Sequence, residues 1–241
     1  MALVYRWLAP QHLDTRRLAE DAAANPAGKV VIIDNAFAAE RLPEIERTLA
    51  RARYTPDNDG LNYDSASMSL DPTLPLSELF RDASWLRWIH AAVGMRFAAP
   101  KTNRVALRRH RPAGRGFWPH VDDLRGDPKR LALLAYFNHG WSAADGGALQ
   151  LWEATPPRRG ARPLCWHAYV GRRLDFLGRR REVVVELGGP GERPVNKLRL
   201  VDTITPSNNR IVILALRPGQ LVHSVTPSNG RSRRAILQWI S

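Results

Sequence analysis

Cysteine is nearly absent from this chain of 241 residues, where Cys165 stands alone. A single thiol excludes an internal disulfide and any multi-cysteine zinc or iron-sulfur centre, and it suits a reducing compartment. Its expected role is that of a buried structural thiol. Long apolar runs are missing as well. No stretch is long enough to span a bilayer, and the opening MALVYRWLAPQHLDTRRLAEDA lacks the apolar centre of a secretory signal. The chain therefore reads as cytoplasmic, with no membrane partner. Acidic residues are few beside basic ones, 23 against 36, leaving a formal charge of +13 that is almost all arginine. Such an excess favours an anionic partner: nucleic acid, an acidic peptide, or a phosphorylated or carboxylated substrate. A GC-rich genome also produces arginine without any such partner. There is no internal repeat and no Gly-rich phosphate loop, because GGPGERP and GRGFW lack the strand and helix that such a loop requires.

What is present is enough for one core. At this length, with 44% hydrophobic residues, a single domain spanning 1–241 is expected. Its first part, 1–100, reads as mainly helical. Helices are expected over 15–25, Ala39 to Arg53 and Leu76 to Val93, with one buried strand in KVVIIDNAF. YTPDNDGLNYDSASMSLDPTLP, rich in Asp, Asn, Ser and Pro, reads as a loop or ribbon. From about residue 101 the texture changes to short β-like runs set apart by Gly, Pro, Asn and Asp: RVALRRH, LALLAYFNHG, GALQLW, EVVVELG, KLRLVDTI, RIVILAL, QLVHSV and RAILQWI. Helices gathered at one end of such a chain should pack on a face of a sandwich or barrel, an α+β, mainly β arrangement. An Arg, Gly and Pro-rich segment at about 154–197, containing PPRRGARP and GRRRE, reads as a solvated insertion between core strands.

Chemistry enters at PHVDD. Taken alone, a His and an acid two apart are common. In a strand, however, positions i and i+2 share a face, so His120 and Asp122 can offer an imidazole and a carboxylate to one ion. A third ligand must come from elsewhere. His223, in RIVILALRPGQLVHSVTP, lies between apolar strands, where a lone histidine is ordinarily a satisfied core residue. Two histidines and one carboxylate with open positions suit iron(II) and dioxygen better than the closed four-ligand sites of structural zinc.

Arg233 lies ten residues after His223, and Trp239 six after that, in HSVTPSNGRSRRAILQW. Here the sequence resembles the prolyl 4-hydroxylase branch of the iron(II)/2-oxoglutarate dioxygenases, which has the HxD pair, a distal His, an Arg or Lys nine or ten residues on, and a Trp in the final strand. LALLAYFNHGW, DGGALQLW and TPSNNRIVILAL resemble the intervening text of that family, and the likeness runs from about Arg104 to Ile240. It implies a double-stranded β-helix, a cupin-like jelly roll, with N-terminal supporting helices. It also implies iron on His120, Asp122 and His223, with 2-oxoglutarate and dioxygen consumed and ascorbate an optional addition.

Arg233 would then answer the distal carboxylate of 2-oxoglutarate with a permanently charged planar fork. The family adds two tyrosines. Tyr136 fills one position, while His110 stands where the other is expected, an imidazole able to donate the same bond with a protonation state sensitive to pH. Asn138 and Trp239 are expected to line the pocket, and Arg231 and Arg234 to point outward. The intact Asp122 argues against halogenation, for which the family's halogenating members leave that position open.

The implied reaction is hydroxylation of an unactivated C–H bond, with a peptide or protein residue, proline first, as the leading substrate class. The segment Asp57 to Asp71 falls where the family has its substrate-covering element. A free amino acid or small natural product is the alternative. A nucleic-acid demethylase fits the charge but not the arginine spacing. A catalytically idle barrel binding an anionic ligand or nucleic acid would have no reason to keep all three ligands and Arg233 together.

Overall fold

The computed structural model describes residues 2–25, 30–58, 64–95, 100–114, 116–120, 130–154, 182–186, 194–216 and 221–241. Asp122, Cys165 and most of the basic segment lie outside the described residues. The described helices are α1 (Val4–Trp7), α2 (Thr15–Ala24), α3 (Leu42–Arg51), α4 (Pro75–Arg81) and α5 (Ala83–Ala92). The strands are β1 (Val30–Asp34), β2 (Thr55–Asn58), β3 (Asp64–Ser69), β4 (Thr102–His110), β5 (Phe117–His120) and β6 (Leu131–Tyr136), followed by β7 (Leu149–Ala154), β8 (Glu182–Glu186), β9 (Pro194–Ile204), β10 (Arg210–Ala215), β11 (Val222–Val225) and β12 (Arg233–Ile240). Among the described residues no helix is long and apolar enough to cross a membrane.

The strands form two antiparallel sheets, one ordered β1-β10-β6-β12-β4-β3-β2 and the other β5-β11-β7-β9-β8. From β4 to β7 the chain switches sheets at every strand, and it does so again from β9 to β12. This interleaving is the jelly roll expected from the sequence, and the N-terminal helices make it an α+β fold. The stretch before α4 is a ribbon: β2 and β3 pair as a hairpin and β3 joins β4, extending the larger sheet. Within the basic segment, the run expected as β-like at Glu182 forms β8, which pairs with β9, beginning at Pro194.

The segment read as one helix from Leu76 to Val93 is two. Apolar spacing runs through it, but Asp82 adopts an extended backbone and its carboxylate accepts from the Ser84 and Trp85 amides, so it caps α5 and breaks the run.

Alternation does the rest of the positioning. On β6, Leu131, Leu133 and Ala135 pack towards the helices, while Ala132, Leu134 and Tyr136 face the second sheet. On β12, Ile236 and Ile240 face the helices and Ala235 and Trp239 the second sheet. The helix side is closed by aromatics: Trp85 stacks on Trp88 at 5.3 Å and meets Phe80 edge-on at 5.5 Å. The Trp85 indole N–H donates to Gln238 Oε1, whose amide nitrogen donates to Phe80 O, so α4, α5 and β12 are locked by one buried side chain.

Turn residues explain the short motifs between strands. Asn209, at φ 53°, both accepts from and donates to the Phe37 backbone, tying the entrance of β10 to the exit of β1. Arg210 grips Asp34 with two nitrogens, at 2.6 and 2.9 Å.

Candidate active site

The two histidines come from neighbouring strands of the smaller sheet. Pairing of β5 with β11 sets His120 directly opposite His223. Side chains directly opposite in an antiparallel pair leave on the same face, and both rings are buried. Their centroids lie 4.2 Å apart with the planes at 53°. Phe117 stacks on His120 at 3.7 Å and restricts its rotation. Two imidazoles this close can share one divalent ion. The third candidate ligand, Asp122, lies outside the described residues, and among the described residues no cluster of three metal-ligating side chains forms.

Across the interior, Arg233 begins β12 and is only 1% exposed. One guanidinium nitrogen donates to the Tyr136 hydroxyl at 3.0 Å, the group lies 4.9 Å from the Tyr136 ring centroid, and its Nε has no partner. Among the described residues no carboxylate pairs with it. A buried cation without an anion is costly, on the order of several kcal/mol, and the expense is recovered only when an anion arrives. The donor set fits the distal carboxylate of 2-oxoglutarate.

Burial raises the Tyr136 pKa, and the adjacent Arg233 charge offsets this only in part. The phenol is therefore neutral. Because its oxygen already accepts from Arg233, its proton is left to donate to an incoming carboxylate. His110 sits directly opposite Arg233 in the β4–β12 register and is buried on the same face.

Glycine makes room for this arrangement. A Cβ on Gly147 would meet Arg233 Cδ at 3.0 Å and the Trp141 ring at 3.3 Å, so the second glycine of DGGALQLW leaves room for the arginine. Gly146 abuts the Pro227 carbonyl oxygen, which a Cβ would approach to 2.2 Å.

A cavity of about 210 Å³ connects these groups, with His110, His120, His223 and Arg233 in its wall and Phe117, Leu134, Leu149 and Trp239 among its apolar lining. Tyr136 stands against Arg233, outside that lining. Asn138, expected in the pocket, is elsewhere. Its amide donates to Pro206 O and Arg234 O and accepts from Arg234 N, so it fastens the end of β6 to the start of β12. A strand-end position with three backbone groups in reach uses the amide for structure. Arg231 and Arg234 point outward as expected, bonded to the carbonyls of His139, Gly140 and Phe137 and paired with Asp145 and Glu46.

The sequence reading missed Arg104, Arg108 and Asp57, which also line the cavity. Strand parity with His110 was the available signal for both arginines.

Residues 105–241 match the model of the 2OG-Fe(II) oxygenase superfamily. The chain belongs to that superfamily. Iron(II) and 2-oxoglutarate are its typical cofactors. The fold is similar to a Pseudomonas putida prolyl-4-hydroxylase, with 16% identity, TM-score 0.58, and 94% of this chain and 97% of that one covered. It is similar also to a Trichoplax adhaerens prolyl hydroxylase in complex with a hypoxia inducible factor peptide fragment, at 13% identity and TM-score 0.54, covering 94% and 88%. A third likeness is to the epimerase SnoN in complex with Fe3+, alpha ketoglutarate and nogalamycin RO, at 15% identity and TM-score 0.53, covering 94% and 84%. These likenesses show the fold. No curated protein matches the sequence.

Proposed function

We propose that this oxygenase hydroxylates an unactivated C–H bond of a residue within a peptide or protein. Iron would be held by His120, Asp122 and His223, and the distal carboxylate of 2-oxoglutarate by Arg233, Tyr136 and His110. The observation that carries the reading is the buried Arg233, one nitrogen on Tyr136 and another without a partner, facing the same cavity as two apposed imidazoles.

Bound iron and 2-oxoglutarate supply the oxidising power, with R–H, O2 and 2-oxoglutarate giving R–OH, succinate and carbon dioxide. The chain's own residues do the rest. Arg233 and Tyr136 fix one end of the cosubstrate by a charge-assisted fork and a neutral phenol. Phe117 holds His120 in one orientation. The apolar wall of Leu134, Leu149 and Trp239 limits water around the reacting carbon.

The net charge of +13 and the likeness to prolyl hydroxylases support a peptide substrate, while the likeness to SnoN keeps a small natural product as the second reading. Anaerobic titration with iron(II) and 2-oxoglutarate tests the cofactor chemistry. It is expected to give a weak visible charge-transfer band, followed by succinate when oxygen is admitted. Folded protein supplied with both and giving neither would overturn the reading in favour of an idle anion-binding barrel. Peptide and small-molecule panels scored for extra succinate then separate the two substrate classes.

A further inference from the structure

Three of the described arginines line the cavity, and each faces something different. Arg233 is buried against Tyr136. Arg108 is neutralised by Asp57, 3.1 Å away on β2. Arg104 is exposed, and among the described residues its guanidinium has neither a carboxylate nor a hydrogen-bond acceptor. Its contact is the face of Trp239, 5.8 Å from the ring centroid. Arginines with an acid in reach elsewhere use it, as Arg210 uses Asp34 and Arg234 uses Glu46.

Register places this group. Arg104, Arg108 and His110 alternate along one face of β4, where Arg233 is opposite His110 and Trp239 is opposite Arg104. Six residues of β12 separate Arg233 from Trp239, roughly 20 Å of strand. A five-carbon cosubstrate held at the buried end cannot also satisfy the exposed end. Stacking on Trp239 covers one face of the Arg104 guanidinium and leaves its in-plane N–H groups to be aimed at an anion.

We infer that Arg104, held against Trp239, is a second anion receptor at the cavity mouth that reads an acidic side chain next to the oxidised residue of the peptide substrate. The inference rests on the peptide-hydroxylase reading and narrows it. A nucleic acid suits this rim poorly. Its affinity needs several cations spaced along the phosphates, whereas the next arginine on this face is already neutralised by Asp57.

The test uses the full chain loaded with iron(II) and 2-oxoglutarate without oxygen, presented with a random peptide library. The charge-transfer band and succinate release of the wild type are recorded first, so that loss of the cofactor chemistry is read separately from failure of the subsite. The wild type is expected to enrich Asp or Glu at one fixed position, and the best peptide should lose about tenfold or more in affinity for Arg104→Gln. Replacing the acidic residue of that peptide by its amide should cost the same on wild type and nothing further on Arg104→Gln, a result that misfolding of the variant cannot imitate. A library with no acidic preference, or amide replacement that weakens both proteins equally, overturns the inference. So does a library with no binder from a protein that still releases succinate. A single-stranded oligonucleotide held more tightly than any peptide, and released by Arg104→Gln, overturns it in favour of a phosphate site.

Discussion

The two faces of the larger sheet are built from the same strands and do opposite things. On the side towards the helices, β6, β10 and β12 present Leu131, Leu133, Ile211, Ile213, Ile236 and Ile240, all fully buried among other apolar side chains. One residue along, β12 presents Arg233 and Trp239 to the cavity, with Tyr136 of β6 set against Arg233 behind them. The first face holds the fold by excluding water and filling space. The second keeps a cation and a phenol out of water without completing their partners, a debit that the packed face offsets. A strand whose period is two can thus carry stability and chemistry in neighbouring residues with little interference.

That separation makes the largest predicted effect a clean one. On the proposed assignment, His223→Ala abolishes iron binding and succinate formation while leaving thermal unfolding nearly where it was, since the ring projects into a cavity. Iron titration and a melting curve on one preparation check this, and an active variant would refute the assigned triad. Next comes Arg233→Met. Removing one partner of a buried charge-assisted pair costs about 2–5 kcal/mol, so half-saturation by 2-oxoglutarate should rise roughly 30-fold or more. The same change relieves a buried cation, so the protein without cosubstrate should be as stable as wild type or more so. Lower stability and unchanged affinity together would erase the distinction between the faces. On the other side, Leu131→Ala should lose about 2–5 kcal/mol in denaturant unfolding, with the cosubstrate affinity of the remaining folded protein unchanged.

Much of this was legible beforehand, for identifiable reasons. His120, His223 and Arg233 were singled out because strand parity and fixed offsets are written in the sequence, and the structure brings all three to one cavity. The break at Asp82 was hidden because apolar spacing continues across it, although an Asp just ahead of an apolar-periodic run is a helix-start signal. Asn138 was misplaced because its neighbour Tyr136 does reach the site region. Nothing local reveals that an amide at a strand end will meet Pro206 and Arg234, 68 and 96 residues away. Asp57 and Arg108 are likewise joined over 51 residues, through a hairpin register that composition does not encode. The role of Gly147 was visible only as a motif until Arg233 was seen beside it.

Gly147 permits a finer cut. Gly147→Ala imposes both a left-handed backbone at φ 64° and a Cβ at 3.0 Å from Arg233, whereas Gly140→Ala imposes a left-handed backbone at φ 57° with nothing within 4 Å. Each should lose about 1–2 kcal/mol from backbone strain. Only Gly147→Ala should also weaken 2-oxoglutarate, by a few-fold, because it pushes the arginine off Tyr136. Equal cosubstrate affinities in the two variants would mean that Arg233 simply swings aside.

The smallest effect belongs to the helical layer, where His90 on α5 is buried outside the cavity wall. Burial lowers its pKa from the ordinary 6.5. The unfolded chain therefore takes up this proton at a higher pH than the folded one. The stability associated with a neutral His90 is complete above about pH 6.5 and is lost as the pH falls towards the folded value. Other groups titrate in the same range, so the readout is a difference. Wild type should lose more unfolding free energy between pH 7 and pH 5 than His90→Gln does, whatever the variant's stability at pH 7. Equal losses would place the acid sensitivity elsewhere in the chain. In that case a fall in activity at low pH could no longer be separated from a loosening of the fold.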